Sequence, residues 1–380
     1  MITIIGGELL SSLGSRRQRI AALASGRACP GEITVNGLGG RIRLPYYRLD
    51  ENRRLARADQ VAAYLNKVTR SLFNRLFPDK SPPTHMGVFL GSSSIDYSLV
   101  EPLEDVVDGL DPGACPRRRV GGGFYVDRLM DHFGLRGPAL TINTACTSSI
   151  NGLMEAAAML ACRTIDHALV LGLELSFPVM IEGFAMMQLL SPDRLRPFAD
   201  NRNGMVLGEA VSAVLLSRDD VMESGWHFLG GESCCETHSI IGAEPGGRGM
   251  ARVIRRSMQH AGITPDVVTA VKSHGIGGEL MDSAEFFGMA RAFDHIPPYF
   301  SLKPYIGHTL GGCGVAELVL LLDCVEHGFL PATPDAEPLD AQFSSAPLAR
   351  SMELGHGRFM LNYFGFGGNN SSCIIEKVTP

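Results

Sequence analysis

Pro138-Ala-Leu-Thr-Ile-Asn-Thr-Ala-Cys146-Thr-Ser-Ser-Ile-Asn-Gly152 is the stretch in which the chain changes its period. Residues 138 to 143 are apolar and β-branched and read as a short strand. From Ser148 onward Ile150, Leu153, Met154, Ala157, Leu160 and Ala161 recur at helical spacing. A strand therefore runs into a helix with Cys146 at the turn, and Thr147 and the two serines after it are favourable N-cap residues. Unpaired backbone N–H groups and the positive end of a helix dipole converge there, a setting expected to favour a thiolate. A structural cysteine would give the same local pattern, so partners elsewhere in the chain must decide.

Working outward, the same rhythm recurs. Residues 2 to 5 are expected to form an opening strand that Gly6-Gly7 ends, and residues 10 to 25 a loop followed by a helix whose Arg16, Arg17 and Arg19 form a solvated face. A helix is expected over roughly 55 to 76 and a buried strand over Met86–Gly91. Residues 103 to 120 carry no clear element, and Gly121-Gly-Gly precedes a helix near 124 to 133. Ala168–Glu174 reads as a central strand paired in parallel with the one before Cys146. Residues 175 to 208 read as a long, weakly periodic insertion, and 211 to 216 as another strand.

In the second half, a helix near 247 to 261 leads to a strand, 267 to 273, that delivers His274-Gly-Ile-Gly-Gly. Asp282 and Glu285 open the next helix. Tyr299–Lys303 delivers Lys303-Pro-Tyr-Ile-Gly-His308, a buried helix follows through Val315 to Val325, and strands at 358 to 362 and 373 to 377 flank the glycine turn around Phe366. A strand entering an apolar helix through a turn with a reactive side chain thus occurs once in each half. The pattern implies two related α/β halves, residues 1–230 with the cysteine and 231–380 with the two histidines.

Composition narrows the function. The chain has 380 residues, 45% hydrophobic and 19% charged, with net charge −6, so no basic surface points to nucleic acid or an anionic membrane. No signal-peptide pattern or long uninterrupted apolar run is present, and a cytoplasmic protein is expected. The nine cysteines lack a C-x-x-C pair, and no H-E-x-x-H occurs, which argues against a disulfide framework and a metal site. Cys146, His274 and His308 all follow predicted strand ends, where α/β sheets assemble sites, and a thiol with two imidazoles suits acyl transfer.

Together, Thr144-Ala-Cys146-Thr-Ser-Ser, His274-Gly with Asp282 and Glu285 downstream, Lys303-x-x-x-x-His308 with Glu317 beyond, and Asn362-Tyr-Phe-Gly-Phe366-Gly-Gly-Asn369 resemble the β-ketoacyl-acyl carrier protein synthases of the thiolase superfamily. The resemblance spans the whole chain in order. It implies a thiolase-like five-layered α-β-α-β-α fold of two pseudo-duplicated halves, dimeric with a like chain or with a second ketosynthase-like subunit. By the same resemblance Cys146 takes the acyl group from an acyl carrier protein. His274 and His308 promote decarboxylation of the malonyl carrier thioester, and Lys303 and Glu317 support His308. Phe366 contributes an oxyanion N–H and gates the cysteine, and Phe184 lines the acyl tunnel. It implies no cofactor beyond the phosphopantetheine arm on which substrates are carried.

The second catalytic cysteine of thiolases is absent from the Phe366 turn, and His308 stands where the initiating synthases carry asparagine, so the elongating class fits better. The family's His-Gly-Thr-x-Thr is His274-Gly-Ile276-Gly-Gly278 here. A non-condensing, chain-length-factor-like partner subunit is the alternative reading; such subunits lose the nucleophile, and Cys146 is retained.

Overall fold

The computed structural model describes residues 1–27, 29–50, 58–94 and 121–379. The first half carries strands β1 (Ile2–Ser11), β2 (Gly31–Gly37), β3 (Gly40–Tyr47), β4 (Gly87–Gly91), β5 (Ala139–Ile142), β6 (His167–Glu174), β7 (Leu207–Gly208) and β8 (Ala210–Arg218). The second carries β9 (Trp226–Cys235), β10 (Ala270–Lys272), β11 (Tyr299–Phe300), β12 (Phe329–Leu330), β13 (Met352–Glu353), β14 (Gly357–Phe364) and β15 (Asn369–Lys377). Ten of them form one sheet in the order β11-β10-β14-β15-β9-β1-β8-β6-β4-β5.

That order contains a repeat. Numbering the five sheet strands of each half in chain order, both sets run 3-2-4-5-1 outward-in and meet at their first strands, β1 and β9. Pair directions repeat too: β6 and β4, and β4 and β5, are parallel as β14 and β10, and β10 and β11, are, while the remaining pairs are antiparallel. The junction is slight, with only Ile2↔Phe228 and Thr3↔His227 paired, so the two sets diverge around what lies between them. Between them lie the helices Ser148–Ala161 and Cys313–Glu326, each following the third strand of its set. The helices Ala58–Leu76 and Gly123–Phe133 cover the outside of one set, and Arg248–Ala261 and Glu279–Ala292 that of the other. The result is five layers, α-β-α-β-α.

The Cys313–Glu326 helix shows why its sequence reads as it does. Every residue from Cys313 to Val325 is buried, so the helix lacks a polar face, as expected of one enclosed by two sheets and a second helix. Close approach is bought with glycine: a Cβ on Gly314 would stand 2.5 Å from the backbone nitrogen of Ile150 on the neighbouring central helix.

Several expectations need correction. β1 does not end at Gly6-Gly7 but bulges between Ile4 and Gly6 and continues to Ser11. A Cβ on Gly7 would meet Val319 Cγ2 at 2.5 Å, so glycine here makes room for the central helix instead of breaking the strand. Arg19 is not solvated: it is 1% exposed, with Nε 2.6 Å from Asp323 Oδ2 and Nη1 donating to Leu9 O, while Arg16 pairs with Asp323 and Glu326. β5 and β6 run parallel but do not pair, because β4 lies between them. The 175–208 insertion contains the helix Pro178–Met186, and Lys303 opens a short helix, Lys303–Ile306, instead of ending a strand. The β2–β3 hairpin and β9 had no counterpart in the sequence reading, and residue 230 falls inside β9. Residues 103 to 120, Cys115 among them, and the expected first turn of the second helix lie outside the described residues.

Candidate active site

Cys146 sits on a turn held by side-chain hydrogen bonds. Ala145, just before it, has φ 54°, a strained value for a residue with a side chain. Ser148 Oγ donates to Ala145 O at 2.6 Å and accepts from the Thr144 N–H at 3.0 Å, and Thr147 Oγ1 donates to Thr144 O at 2.7 Å. The hydroxyls expected to cap the helix therefore brace the elbow; Thr147 makes no capping bond to the helix. Asn151 adds a strut, donating to Thr144 Oγ1 at 2.8 Å while accepting from Ser371 Oγ on β15 at 2.7 Å.

The sulfur lies 3.1 Å from His308 Nε2. His308 is reached through Gly307, whose φ of 73° lets the chain turn out of the Lys303–Ile306 helix, and its own N–H donates to Val206 O at 2.7 Å. The ring of His274 stands 5.3 Å from that of His308, at 89°. The backbone N–H groups of Phe366 and of Cys146 itself both favour the ionised form of the sulfur, and Gly365 keeps the approach of the two turns open, since a Cβ there would be 3.0 Å from the Cys146 nitrogen. Cys146, the two histidines and the Phe366 turn, up to 220 residues apart in sequence, thus share one pocket.

The resting thiol is not the thiolate expected from the helix terminus. Burial pushes it up to about 12, outweighing the downward pull of Lys303 and of the two N–H groups, with Glu174 adding to the rise. Burial, followed by the Lys303 ammonium, holds both imidazoles well below the ordinary histidine range. The pair is therefore thiol and neutral imidazole at pH 7.

Asp282 and Glu285 act on the His274 loop through its backbone. Glu285 accepts from the N–H groups of His274 and Gly275 at 2.7 and 2.8 Å, and Asp282 from those of Ile276 and Gly277 at 2.9 and 3.1 Å. Burial raises the Asp282 carboxyl to about 6 despite these bonds. A folded-state value above the unfolded one means that the native state binds the extra proton, so this group's contribution falls as pH rises from about 4 to about 6. The stability difference between wild type and Asp282→Asn should therefore shrink over that interval in urea titrations, and a constant or widening difference would contradict the assignment.

Lys303 and Glu317 do not touch His308 by hydrogen bond. Lys303 Nζ bonds Glu317 Oε1 at 2.7 Å, and the other carboxylate oxygen is taken at 2.5 Å by Lys272, a residue the sequence reading passed over. Its signal was available: a lysine in an otherwise apolar strand, two residues before His274. Glu174, also passed over, is buried where it accepts from Ser93 Oγ at 2.6 Å, from Gly311 N–H at 3.0 Å and from Ser94.

Phe184 and Phe366 face each other with ring centroids 5.7 Å apart, in an apolar cluster that includes Cys146, Ile181, Leu310 and Ile276. The unexpected β2–β3 hairpin closes this cluster through Val35, Leu44 and Tyr46. A cleft of about 300 Å³ reaches Phe366 from the surface, lined by Met205, Ile276, Gly278 and Leu280 among others. Ile276 and Gly278 thus line the cleft that ends at Phe366. Among the described residues no helix is long and apolar enough to cross a membrane.

Comparison with known proteins agrees with this geometry. Residues 45–221 match the model of the β-ketoacyl synthase N-terminal domain and residues 230–337 that of the C-terminal domain. Polyketide synthase ThaG of Burkholderia thailandensis is 32% identical over 339 residues, 80% of this chain and 6% of that protein. The chloroplastic 3-oxoacyl-[acyl-carrier-protein] synthase II of Arabidopsis thaliana is 27% identical over 312 residues, 77% of this chain and 57% of that protein. The chain spans about a tenth of the length of the first curated relatives it matches. The structure of the ketosynthase ApeO in complex with its chain length factor ApeC, from Xenorhabdus doucetiae, superposes with a TM-score of 0.82 at 23% identity, covering 99% of this chain and 98% of that one. With the duplicated five-layered fold already in view, and with both domain models matched across most of the sequence, the chain belongs to the β-ketoacyl synthase family.

Proposed function

We propose that this chain catalyses a decarboxylative Claisen condensation between an acyl group held on Cys146 and a malonyl group delivered on an acyl carrier protein. The observation that carries the reading is the sulfur 3.1 Å from His308 Nε2, with the second imidazole, that of His274, 5.3 Å from the first. In the first step the thiol passes its proton to His308 as the sulfur attacks the carrier thioester. The N–H groups of Cys146 and Phe366 hold the tetrahedral oxyanion, and the carrier thiol leaves with the proton. In the second, the malonyl thioester loses CO2 and the electrons of the broken C–C bond form an enolate, whose oxygen accepts hydrogen bonds from the two imidazoles. The enolate carbon attacks the acyl carbonyl, the C–S bond to Cys146 breaks, the β-ketoacyl product remains on the carrier, and the Cys146 thiolate takes up a proton from solvent. The substrates come on phosphopantetheine arms, for which the cleft beside Phe366 is a route.

A second reading has its own support. Ile276 and Gly278 offer no hydroxyl to an incoming arm, each such bond being worth about 1 kcal/mol, and ApeO was solved with a chain length factor. This chain could serve as such a partner. Incubating the purified chain with acyl and malonyl carrier proteins separates the two: formation of β-ketoacyl carrier by the chain alone supports condensation, and product only after a second ketosynthase-like chain is added supports the partner role.

Either reading involves a dimer, with a like or unlike subunit, and β5 supplies a surface for it. It is the terminal strand of the sheet, among the described residues nothing pairs with its outer edge, and Leu140 is 39% exposed. Apolar sheet edges left open invite pairing with another chain. Leu140→Lys is expected to shift the chain from dimer to monomer in light scattering at micromolar concentration; an unchanged dimer would move the interface elsewhere.

A further inference from the structure

Among the described residues, hydrogen bonds tie the Cys146 elbow to the second half of the chain on two sides. On the His308 side, Cys313 Sγ donates to Cys146 O at 3.1 Å and the Val315 N–H donates to Ser149 Oγ at 3.2 Å; Cys313 follows His308 by five residues. The other tie is Asn151, in the first turn of the Ser148–Ala161 helix. Side chains on a helix lean toward its N-terminus, so this amide reaches back over the elbow. Its Nδ2 donates to Thr144 Oγ1 at 2.8 Å and lies 3.3 Å from Thr147 Oγ1. Its Oδ1 accepts from Ser371 Oγ at 2.7 Å, and Ser371 Oγ lies 3.0 Å from Ser233 Oγ on β9. Ser371 follows Phe366 by five residues, on β15, the strand into which the Phe366 turn runs.

We propose that Asn151 is a positioning residue that holds the Cys146 elbow at its working distance from the Phe366 turn. The inference rests on the acyl-transfer step of the condensing reading, in which N–H groups of both elements share one oxyanion. The bonds of Thr147 and Ser148 begin and end within residues 144–148, so they fix the shape of the elbow and not its distance from a turn 220 residues along the chain. That distance is short: a Cβ on Gly365 would stand 3.0 Å from the Cys146 nitrogen and 3.4 Å from its Cβ. Asn151 grips Thr144, the neighbour of Ala145, whose φ of 54° is a conformation that persists only where the surroundings enforce it. The Asn151–Ser371 bridge thus joins the strained end of the elbow to the strand that carries the Phe366 turn, while the Cys313 and Val315 bonds keep the sulfur beside His308 independently of it.

Two reactions of the same sulfur separate this role from general support. Alkylation by iodoacetamide displaces iodide at a tetrahedral carbon and forms no oxyanion, so it needs only the thiol and His308. Acylation by the N-acetylcysteamine thioester of butyrate passes through the oxyanion: the sulfur adds to the carbonyl, the C–S bond of the thioester breaks, and N-acetylcysteamine leaves with the thiol proton. In Asn151→Leu and in Ser371→Ala, acylation read as butyryl mass on the Cys146 peptide is expected to slow by about 10-fold, with alkylation within about twofold of wild type. The double variant should acylate no more slowly than the slower single one, because both changes break one bridge. Ser371→Ala removes a single hydroxyl and decides alone if Asn151→Leu does not fold. Equal losses in the two reactions, no loss in either, additive losses in the double variant, or failure of both single variants to fold would overturn the proposal. Variants acylated as fast as wild type would overturn it and leave the condensing reading standing, whereas a wild-type chain alkylated at Cys146 but never acylated there would sink that reading and the proposal with it.

Discussion

Cys146→Ala is expected to remove β-ketoacyl formation by roughly 10³-fold or more while leaving the fold intact. The sulfur's only described side-chain partner is His308, and the elbow is braced by Thr144, Thr147, Ser148 and Asn151, none of which uses the thiol. Removing one buried sulfur should cost stability little more than a small cavity, about 1 kcal/mol. The loss of rate and the loss of stability should therefore separate cleanly in steady-state assays and urea unfolding. An alanine variant that keeps more than a tenth of wild-type turnover would show that the acyl group does not pass through this residue.

Glu317→Gln should have the largest effect on stability. Glu317 is the only described carboxylate bonded to the two fully buried ammonium groups, at 2.5 and 2.7 Å, and glutamine can accept from one but neutralises neither. Breaking a buried ion pair at one partner costs about 3–5 kcal/mol. The penalty should also depend on pH in a definite direction. Burial already holds the Lys272 amine below its ordinary range despite Glu317, and without the carboxylate it falls further, so the unfolded chain binds more protons and stability recovers as pH rises from 7 toward 10. Urea unfolding at pH 7 and pH 9.5 checks both the size and the slope; a variant as stable as wild type at pH 7 would show that one of the lysines is neutral in the native state.

The duplicated architecture was legible because its two central helices each follow a strand through a turn that carries a reactive side chain. The period change at Cys146 and the one past His308 mark the same place in each half. What stayed hidden depended on partners distant in sequence. Arg19 reads as a surface charge until Asp323, 304 residues away, is brought against it. Gly7 reads as a strand end until Val319 packs over it. The thiolate expectation failed for a related reason: a helix N-terminus is visible in local sequence, whereas the burial that outweighs it is a property of the assembled pocket. The β2–β3 hairpin, with polar and charged residues between its apolar ones, gave no sign that Val35, Leu44 and Tyr46 would join the cluster around the sulfur.

The most direct test is to expose the chain to an acyl carrier thioester and locate the acyl group by peptide mass spectrometry. Of the nine cysteines, only the one on the peptide containing Cys146 is expected to carry it. An acyl group found on another residue, or none on Cys146 in a chain that is folded and supplied with its partner subunit, would contradict the account.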